Sequence, residues 1–446
     1  MRETRVAQIS IFENYSEHEY GVRLNNLSCL LDKHPEILTL LERDLVDKSC
    51  MHVGRNGLTV ENIFRCLLLK QQLRVSYEQL AFYLSDSMSY RSFVRLPDNV
   101  SPSRSCLQST IRRINPKTLE EVNQLLSVDW FRKGHISLEQ IRVDSTVVKS
   151  NIAPPSDSQM LDDGVRVLSR YLAKSRELTG KKIRFNDQRK ASKSLAFRIF
   201  NAKNTVKEVL YPDLIKLVSV VLRQIERGVV QVKEDAVSSE STRQWIDNVM
   251  HYRNLLLKVV DQTERRVIKK EHVPSSEKIV SLFESHTDII VKGFRDTQYG
   301  HKVNLSSDKN GFITYFSIED GNPADKELFM PVLLSCQEHF SCLPESIVGD
   351  GGYASKNNVL KGRALGVKRV VFHKRVGISY HVMGVKRKTL ERLRNFRAGV
   401  EGNISELKRA FGAGKATWKG HDGFNAYVWS SVISYNLVRM ARLESG

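Results

Sequence analysis

The chain reads as a mixed α/β protein in which an α/β core is preceded by an all-helical segment and interrupted by a helical insertion. Three observations predict this. Residues Ile141–Ser150 (I-R-V-D-S-T-V-V-K-S) carry a β-branched run that suits a buried strand. Residues 160–270 show helical periodicity only, and from Tyr299 onward strand and turn signals take over. The boundaries that follow are a helical N-terminal domain over 1–135, a core over 136–155 and 275–446, and a helical insertion over 156–274.

Composition narrows the partner. With 69 Lys+Arg against 50 Asp+Glu the formal charge is +19 and the pI about 9.6, so a polyanion is expected, most commonly a phosphate backbone. No 18-residue apolar run occurs, and Met1–Arg5 opens into polar sequence without a signal-peptide core. No membrane association is expected, and the expected location is the cytoplasm. The cysteines (Cys29, Cys50, Cys66, Cys106, Cys336, Cys342) form no C-x-x-C pair and are too few for a disulfide scaffold. Cys336, His339 and Cys342 make C-x2-H-x2-C, but no fourth ligand is near, which argues against zinc.

The N-terminal elements are short helices. Pro35–Leu45 is helical by pattern, and Thr59–Leu73 places Val60, Ile63, Phe64, Leu67 and Leu68 on one face. Ser76-Tyr77-Glu78-Gln79 opens the next helix as a capping box. After the Pro97 break, Ser103–Ile114 ends in Ile111-Arg112-Arg113-Ile114, and Asn115-Pro116 starts a helix to about Trp130. Short helices with a basic end suit either a helix-turn-helix DNA reader or a plain helical bundle.

Asp144 then sits inside the β-branched run. A carboxylate there requires a partner Arg or Lys, an exposed edge, or a hard metal ion with further carboxylates from elsewhere. Ala153–Ser158 is a loop by composition, and the helical insertion follows. Its stretch 181–207 is strongly basic, with Lys181, Lys182, Arg184, Arg189, Lys190, Lys193, Arg198 and Lys203 against Asp187. Phe185, Phe197 and Phe200 are interleaved, so this is either a solvated face or a nucleic-acid surface.

Tyr299–Ser306 and Phe312–Glu319 read as strands joined through Asp308-Lys309-Asn310-Gly311, where Asn-Gly is a hairpin signal. Asn322-Pro323 predicts the start of a helix over Ala324–His339. The short strand Ser346–Val348 ends at Gly349-Asp350-Gly351-Gly352-Tyr353, where Asp350 is either a ligand-binding carboxylate or an ordinary turn residue. A short helix, a strand over Val367–Phe372 and a long helix over about Lys386–Phe411 complete the core. On that helix Arg397, Glu401 and Lys408 lie within about 40° of one another, whereas Glu406 lies about 140° from Glu401 and should face elsewhere. The bland alternative is an exposed i,i+4 ion pair.

In chain order the core elements run β-β-β-α-β-α-β-α, and here the chain resembles a DDE transposase of a bacterial insertion sequence, with an RNase H-like catalytic core. The residues that carry the resemblance are V-D-S-T around Asp144, Y-G-H-K-V at Tyr299–Val303, G-N-P-A-D at Gly321–Asp325, G-D-G-G-Y around Asp350, and R-x3-E-x6-K from Arg397 to Lys408. Tyr435-Asn436-Leu437 is similar as well, and Asn56–Ile114 resembles the helical domain that precedes such cores. Two departures stand out. Position 394 holds Arg where the signature usually has Tyr, and the helical insertion separates Asp144 widely from Asp350.

The resemblance implies a mixed five-stranded sheet and a site in which Asp144, Asp350 and Glu401 hold two Mg²⁺ or Mn²⁺ ions for DNA cleavage and strand transfer. Arg397 and Lys408 are expected to neutralise phosphates flanking the scissile bond, and Arg112, Arg113, Lys181, Lys182 and Arg184 to contact DNA elsewhere. The implied partner is double-stranded DNA, both terminal inverted repeats and target, bound by a homodimer in a paired-end complex at the bacterial nucleoid. The apolar faces of Thr59–Leu84 and Thr242–Val260 are either protomer contacts or packed within their own domains. The competing classes are a domesticated DNA-binding protein and a cellular RNase H-like nuclease.

Overall fold

The computed structural model describes residues 3–5, 15–46, 57–97, 99–233, 239–291, 297–373 and 378–445; Met1, Arg2, Cys50 and Asn56, named above, lie outside them. The chain divides into two compact units, one formed by Met1–Lys149 with His301–Gly446 and the other by Ser150–Gly300.

The first unit begins with α1 (Glu19–Asp32), α2 (Glu36–Leu45), α3 (Val60–Leu73), α4 (Tyr77–Asp86), α5 (Met88–Val94), α6 (Arg104–Ile111) and α7 (Pro116–Arg132). Thr59 and Ser76 each close a capping box, and Asn115 caps α7 with Pro116 in its first turn. Inside this bundle the buried Arg65 donates to Glu61, Ser28, Asp32 and the Phe93 carbonyl, and Arg95 also pairs with Glu61 at 2.8 Å. Most of the apolar face of Thr59–Leu84 is packed within the chain, while Phe82 stays 61% exposed. Val60, Ile63, Phe64, Leu67, Leu80 and Leu84 are all buried in the chain's own core, which α3 crosses almost fully enclosed.

Among the described residues six strands form the sheet: β1 (Gln140–Lys149), β2 (Asp288–Ile290), β3 (Gln298–Ser307), β4 (Ile313–Ile318), β5 (Ser346–Gly349) and β6 (Arg369–Phe372). Five were expected. The addition is β2, three residues that pair antiparallel with the first residues of β3 inside the second unit. In the first unit the spatial order is β4-β3-β1-β5-β6, with β3 and β4 antiparallel and β1, β5 and β6 parallel. The β3–β4 connection holds Gly311 at φ 80°, and Asp308 accepts the backbone N–H groups of Ser137 and Phe312. Burial nevertheless pushes the Asp308 carboxyl up to about 6.

The second unit is helical, with α8 (Asp157–Ala173), α9 (Ser175–Thr179), α10 (Arg189–Asn201), α11 (Asn204–Lys233) and α12 (Glu240–Thr263). They enclose a core that includes Leu161, Leu168, Leu214, Trp245, Leu256 and Val259. Trp245, Val249, Leu256 and Val259 come from the apolar face of Thr242–Val260, so that face too is covered from within rather than offered to a second protomer. No helix among the described residues is long and apolar enough to cross a membrane.

The first unit ends with α13 (Phe329–Phe340), α14 (Lys356–Leu365), α15 (Tyr380–Met383), α16 (Arg387–Ala410) and α17 (His421–Ser445). The helix expected from Ala324 starts instead at Phe329, and Asp325–Glu327 forms a 3₁₀ turn. The reason is tertiary. Lys302 of β3 donates to the Pro323 carbonyl and pairs with Asp325 at 2.6 Å, holding this segment out of helical geometry. α17 packs against α1, α3 and α7, and its Tyr435-Asn436 pair has a structural task. Asn436 exchanges hydrogen bonds with both backbone groups of Ile313, and the Tyr435 hydroxyl donates to the Gly311 carbonyl at 2.8 Å, so the β3–β4 turn is clamped to α17.

Candidate active site

The sheet itself brings two of the carboxylates together. β1 and β5 pair in parallel with Ile141 opposite Ile347 and Arg142 opposite Val348. Continuing that register by two residues sets Asp144, midway along β1, level with Asp350, which follows the last residue of β5. Asp350 is oriented by its own turn, since its Oδ1 accepts the Gly352 N–H at 2.8 Å.

A third carboxylate joins them, and it is not Glu401. A Cβ on Gly352 would fall 2.5 Å from Asp325 Oδ2 and 3.1 Å from Asp350 Oδ1, so the absent side chain keeps a cradle open between these two groups. Asp325 Oδ1 accepts the Ser145 hydroxyl at 2.8 Å and pairs with Lys302, whose side chain is buried. Tyr353 lies behind them with its hydroxyl donating to Asn304 Oδ1 at 2.7 Å. Burial first, and then the fields of Asp325, Asp144 and Asp350, hold the Tyr353 phenol well above its ordinary range, so it is a neutral donor.

Glu401 reaches this cluster through Arg397. The guanidinium lies 3.1 Å from Asp144 Oδ2 and 3.5 Å from Glu401 Oε1, and it is largely buried, whereas Glu401 is 69% exposed. Of the partners considered for Asp144, an arginine is present in the structure. Arg397 turns inward to two carboxylates rather than outward to a phosphate, and its Nε has no hydrogen-bond partner among the described residues. Lys408 donates to Thr146 Oγ1 at 2.6 Å on the same edge of β1. Glu406 faces elsewhere, as its helical phase requires, and pairs with Arg439 and Arg442. Among the described residues no three His, Cys, Asp or Glu side chains stand close enough together to hold a metal ion as they are.

The position of α16 depends on a second buried cation. Arg142 of β1 donates to Ser307 Oγ, the Phe396 carbonyl and Asn403 Oδ1 at 3.0, 3.0 and 2.7 Å. A Cβ on Gly399 would lie 2.0 Å from Arg142 Nη1, so the helix approaches β1 closely only because position 399 has no side chain. Gly399→Ala is expected to displace Arg397 and Glu401 by about 1 Å, and a displacement of that size in a reactive site costs about tenfold to a hundredfold in rate. It should also cost about 1–3 kcal/mol of stability from overpacking, offset by up to about 1 kcal/mol from the better helix former. A variant more stable than wild type with unchanged activity would show that Arg142 simply yields.

The other sequence-predicted contacts are spread more widely. Arg112 and Arg113 are exposed where α6 ends, beside a groove shared with Trp418–Gly423, and Arg112 donates to the Lys419 carbonyl at 2.9 Å. In the second unit Lys181 donates to the Gln231 carbonyl at 2.6 Å, while Lys182 and Arg184 are exposed. Cys336 is a packed apolar sulfur whose thiol burial pushes up to about 12, and His339 bonds to Ser335.

Asp325, Lys302, Tyr353, Arg142 and Gly399 were not singled out from the sequence as site residues. A lysine inside the β-rich run Tyr299–Val303 was a usable signal, of the same kind as Asp144 in its strand.

Residues 292–437 match the family model described as a transposase DDE domain, and residues 16–113 match one described as a transposase domain (DUF772). No curated protein and no solved structure matches the chain. The mixed sheet with its helices, together with the match over 292–437, fits an RNase H-like core.

Proposed function

Because the chain belongs to the DDE transposases of the insertion-sequence type, we propose that it cleaves DNA at the terminal inverted repeats of such an element and joins the freed 3′ ends to target DNA. The observation that carries this reading is the convergence of Asp144 and Asp350 in parallel register, with Glu401 linked to Asp144 through Arg397.

The donor set suits a hard divalent cation, since Asp144, Asp350 and Glu401 offer only carboxylate oxygens and the missing side chain at Gly352 leaves Asp350 Oδ1 uncovered on the side facing Asp325. Those three residues would hold Mg²⁺ or Mn²⁺. When bound, such ions polarise the scissile phosphate and favour ionisation of the attacking oxygen. The chain's own groups prepare the site. Arg397 offsets the charge of Asp144 and Glu401, Lys302 holds Asp325 against Ser145, and the Gly352 N–H fixes Asp350. A DNA phosphate at this edge would meet Lys408, whose ammonium lies beside Thr146. Two protomers, one for each end, hold the paired-end complex.

The test is cleavage and joining of a DNA carrying the element's terminal repeats, with light scattering of the protein–DNA complex to count protomers. Strand joining that needs Mg²⁺ or Mn²⁺ supports the reading; DNA binding without cleavage would favour a domesticated DNA-binding protein. Cleavage of RNA–DNA hybrids alone would favour a cellular nuclease.

For the insertion, Lys182→Glu with Arg184→Glu is the clean variant, because Lys181 is tied to a backbone carbonyl. It should weaken binding to all DNA sequences alike and lower the slope of log affinity against log salt by about 0.9 per lost phosphate contact. An unchanged slope would return this stretch to a solvated face.

A further inference from the structure

The insertion carries aromatic side chains where its fold has no use for them. α10 packs inward through Ser192, Ala196 and Ile199, and Ser192 donates to Asp162 at 2.7 Å. Lys193, Phe197 and Phe200 form a second stripe at i, i+4 and i+7, about 100° round the helix. Phe197 is 70% exposed and Phe200 72% exposed, and at the start of α11 Val209 is 71% exposed. Scattered apolar residues at a surface need no explanation, but two phenylalanines one turn apart on a helix inside the most basic stretch of the chain do.

Charge selects the occupant. Arg198, Lys203 and Lys207 flank the rings and have no ion-pair partner among the described residues, whereas the nearby acids are engaged, Asp187 by Arg189 and Glu208 by Lys270. A second copy docking through this face would bring like charges together as the rings were buried. A polyanion with flat apolar faces satisfies both features. In a regular duplex the base faces are stacked and closed to a phenyl ring, which has no hydrogen-bonding group with which to read a groove edge. We propose that Phe197 and Phe200 stack on bases exposed where the DNA duplex is opened or kinked, with the surrounding cations on the flanking phosphates. This rests on the reading that DNA is the substrate and adds which form of it the insertion grips.

The experiment uses the full-length protein and two fluorescent DNAs of equal length, one a regular duplex and one carrying a short unpaired bulge with 2-aminopurine in it. Phe197→Ala with Phe200→Ala is expected to lower affinity for the bulged DNA by about tenfold to a hundredfold and to relieve 2-aminopurine quenching, with duplex affinity unchanged. Phe197→Tyr with Phe200→Tyr should retain wild-type binding, and because the rings are exposed the melting temperature should not move in either variant. Equal affinities of wild type and the alanine variant for the bulged DNA, or equal losses on both DNAs, would overturn the stacking proposal and leave the transposase reading standing. A wild-type dimer in the absence of DNA that the alanine variant turns into a monomer would also overturn it, since a second copy would then cover the rings. Failure of the wild type to bind either DNA would overturn both readings.

Discussion

Asp144→Ala, Asp350→Ala and Glu401→Ala are each expected to reduce strand cleavage by at least about a thousandfold, equivalent to about 4 kcal/mol of transition-state stabilisation. Duplex binding should persist in all three, because phosphate contacts and carboxylate chemistry use different side chains. The three differ in what they leave behind. Asp144→Ala removes one of the two carboxylates that hold Arg397, so that guanidinium should become mobile. Asp350→Ala deletes only the acceptor of the Gly352 N–H, and Glu401→Ala deletes an exposed side chain. Cleavage retained by any one variant would remove that residue from the site. Glu406→Ala is the control, since its carboxylate is bonded to Arg439 and Arg442 on another face of α16 and its loss should leave cleavage intact. A dead Glu406→Ala with an active Glu401→Ala would reverse the assignment.

The largest expected effect on stability lies far from that chemistry. Glu61→Ala is expected to cost about 3–5 kcal/mol, because it strips a buried carboxylate from Arg65 and Arg95, which are themselves buried. Asp32 remains as a partner to both but is partly exposed and cannot reach the Arg65 Nε that Glu61 occupies at 3.1 Å. Burial already lowers the Arg65 pKa, with Arg95 adding to it and Glu61 opposing, so the carboxylate is what keeps this charge tolerable. Thermal or urea unfolding measures the loss. Adding Arg65→Met to Glu61→Ala should recover part of it, since a buried charge without a partner costs more than an apolar side chain of similar size. A loss below about 1 kcal/mol for Glu61→Ala alone would mean that solvent reaches the network and screens it.

What the sequence by itself determined is whatever short-range physics controls. The helix start at Thr59, the capping box at Ser76, the cap at Asn115, the hairpin at Asn310-Gly311 and the buried strand around Asp144 all depend on neighbours a few residues away. The helical phase that separates Glu401 from Glu406 is equally local, and in the structure the first bonds to Arg397 while the second bonds to Arg439 and Arg442.

What only the tertiary structure decided is how distant segments meet. The parallel register that levels Asp144 with Asp350 follows from pairing β1 with β5 across the whole insertion, and strand patterning alone does not specify a register between such remote partners. Asp325 enters the cluster, and the expected helix starts late, because Lys302 on another strand draws that segment in. Arg397 turns inward because Asp144 stands opposite, and α16 can approach at all because Arg142 fills the space that Gly399 leaves. The apolar faces of α3 and α12 are covered by their own units, since a chain this long can enclose more surface than a reading of single helices suggests. In each case the deciding contact joins residues whose separation along the chain carries no local signal.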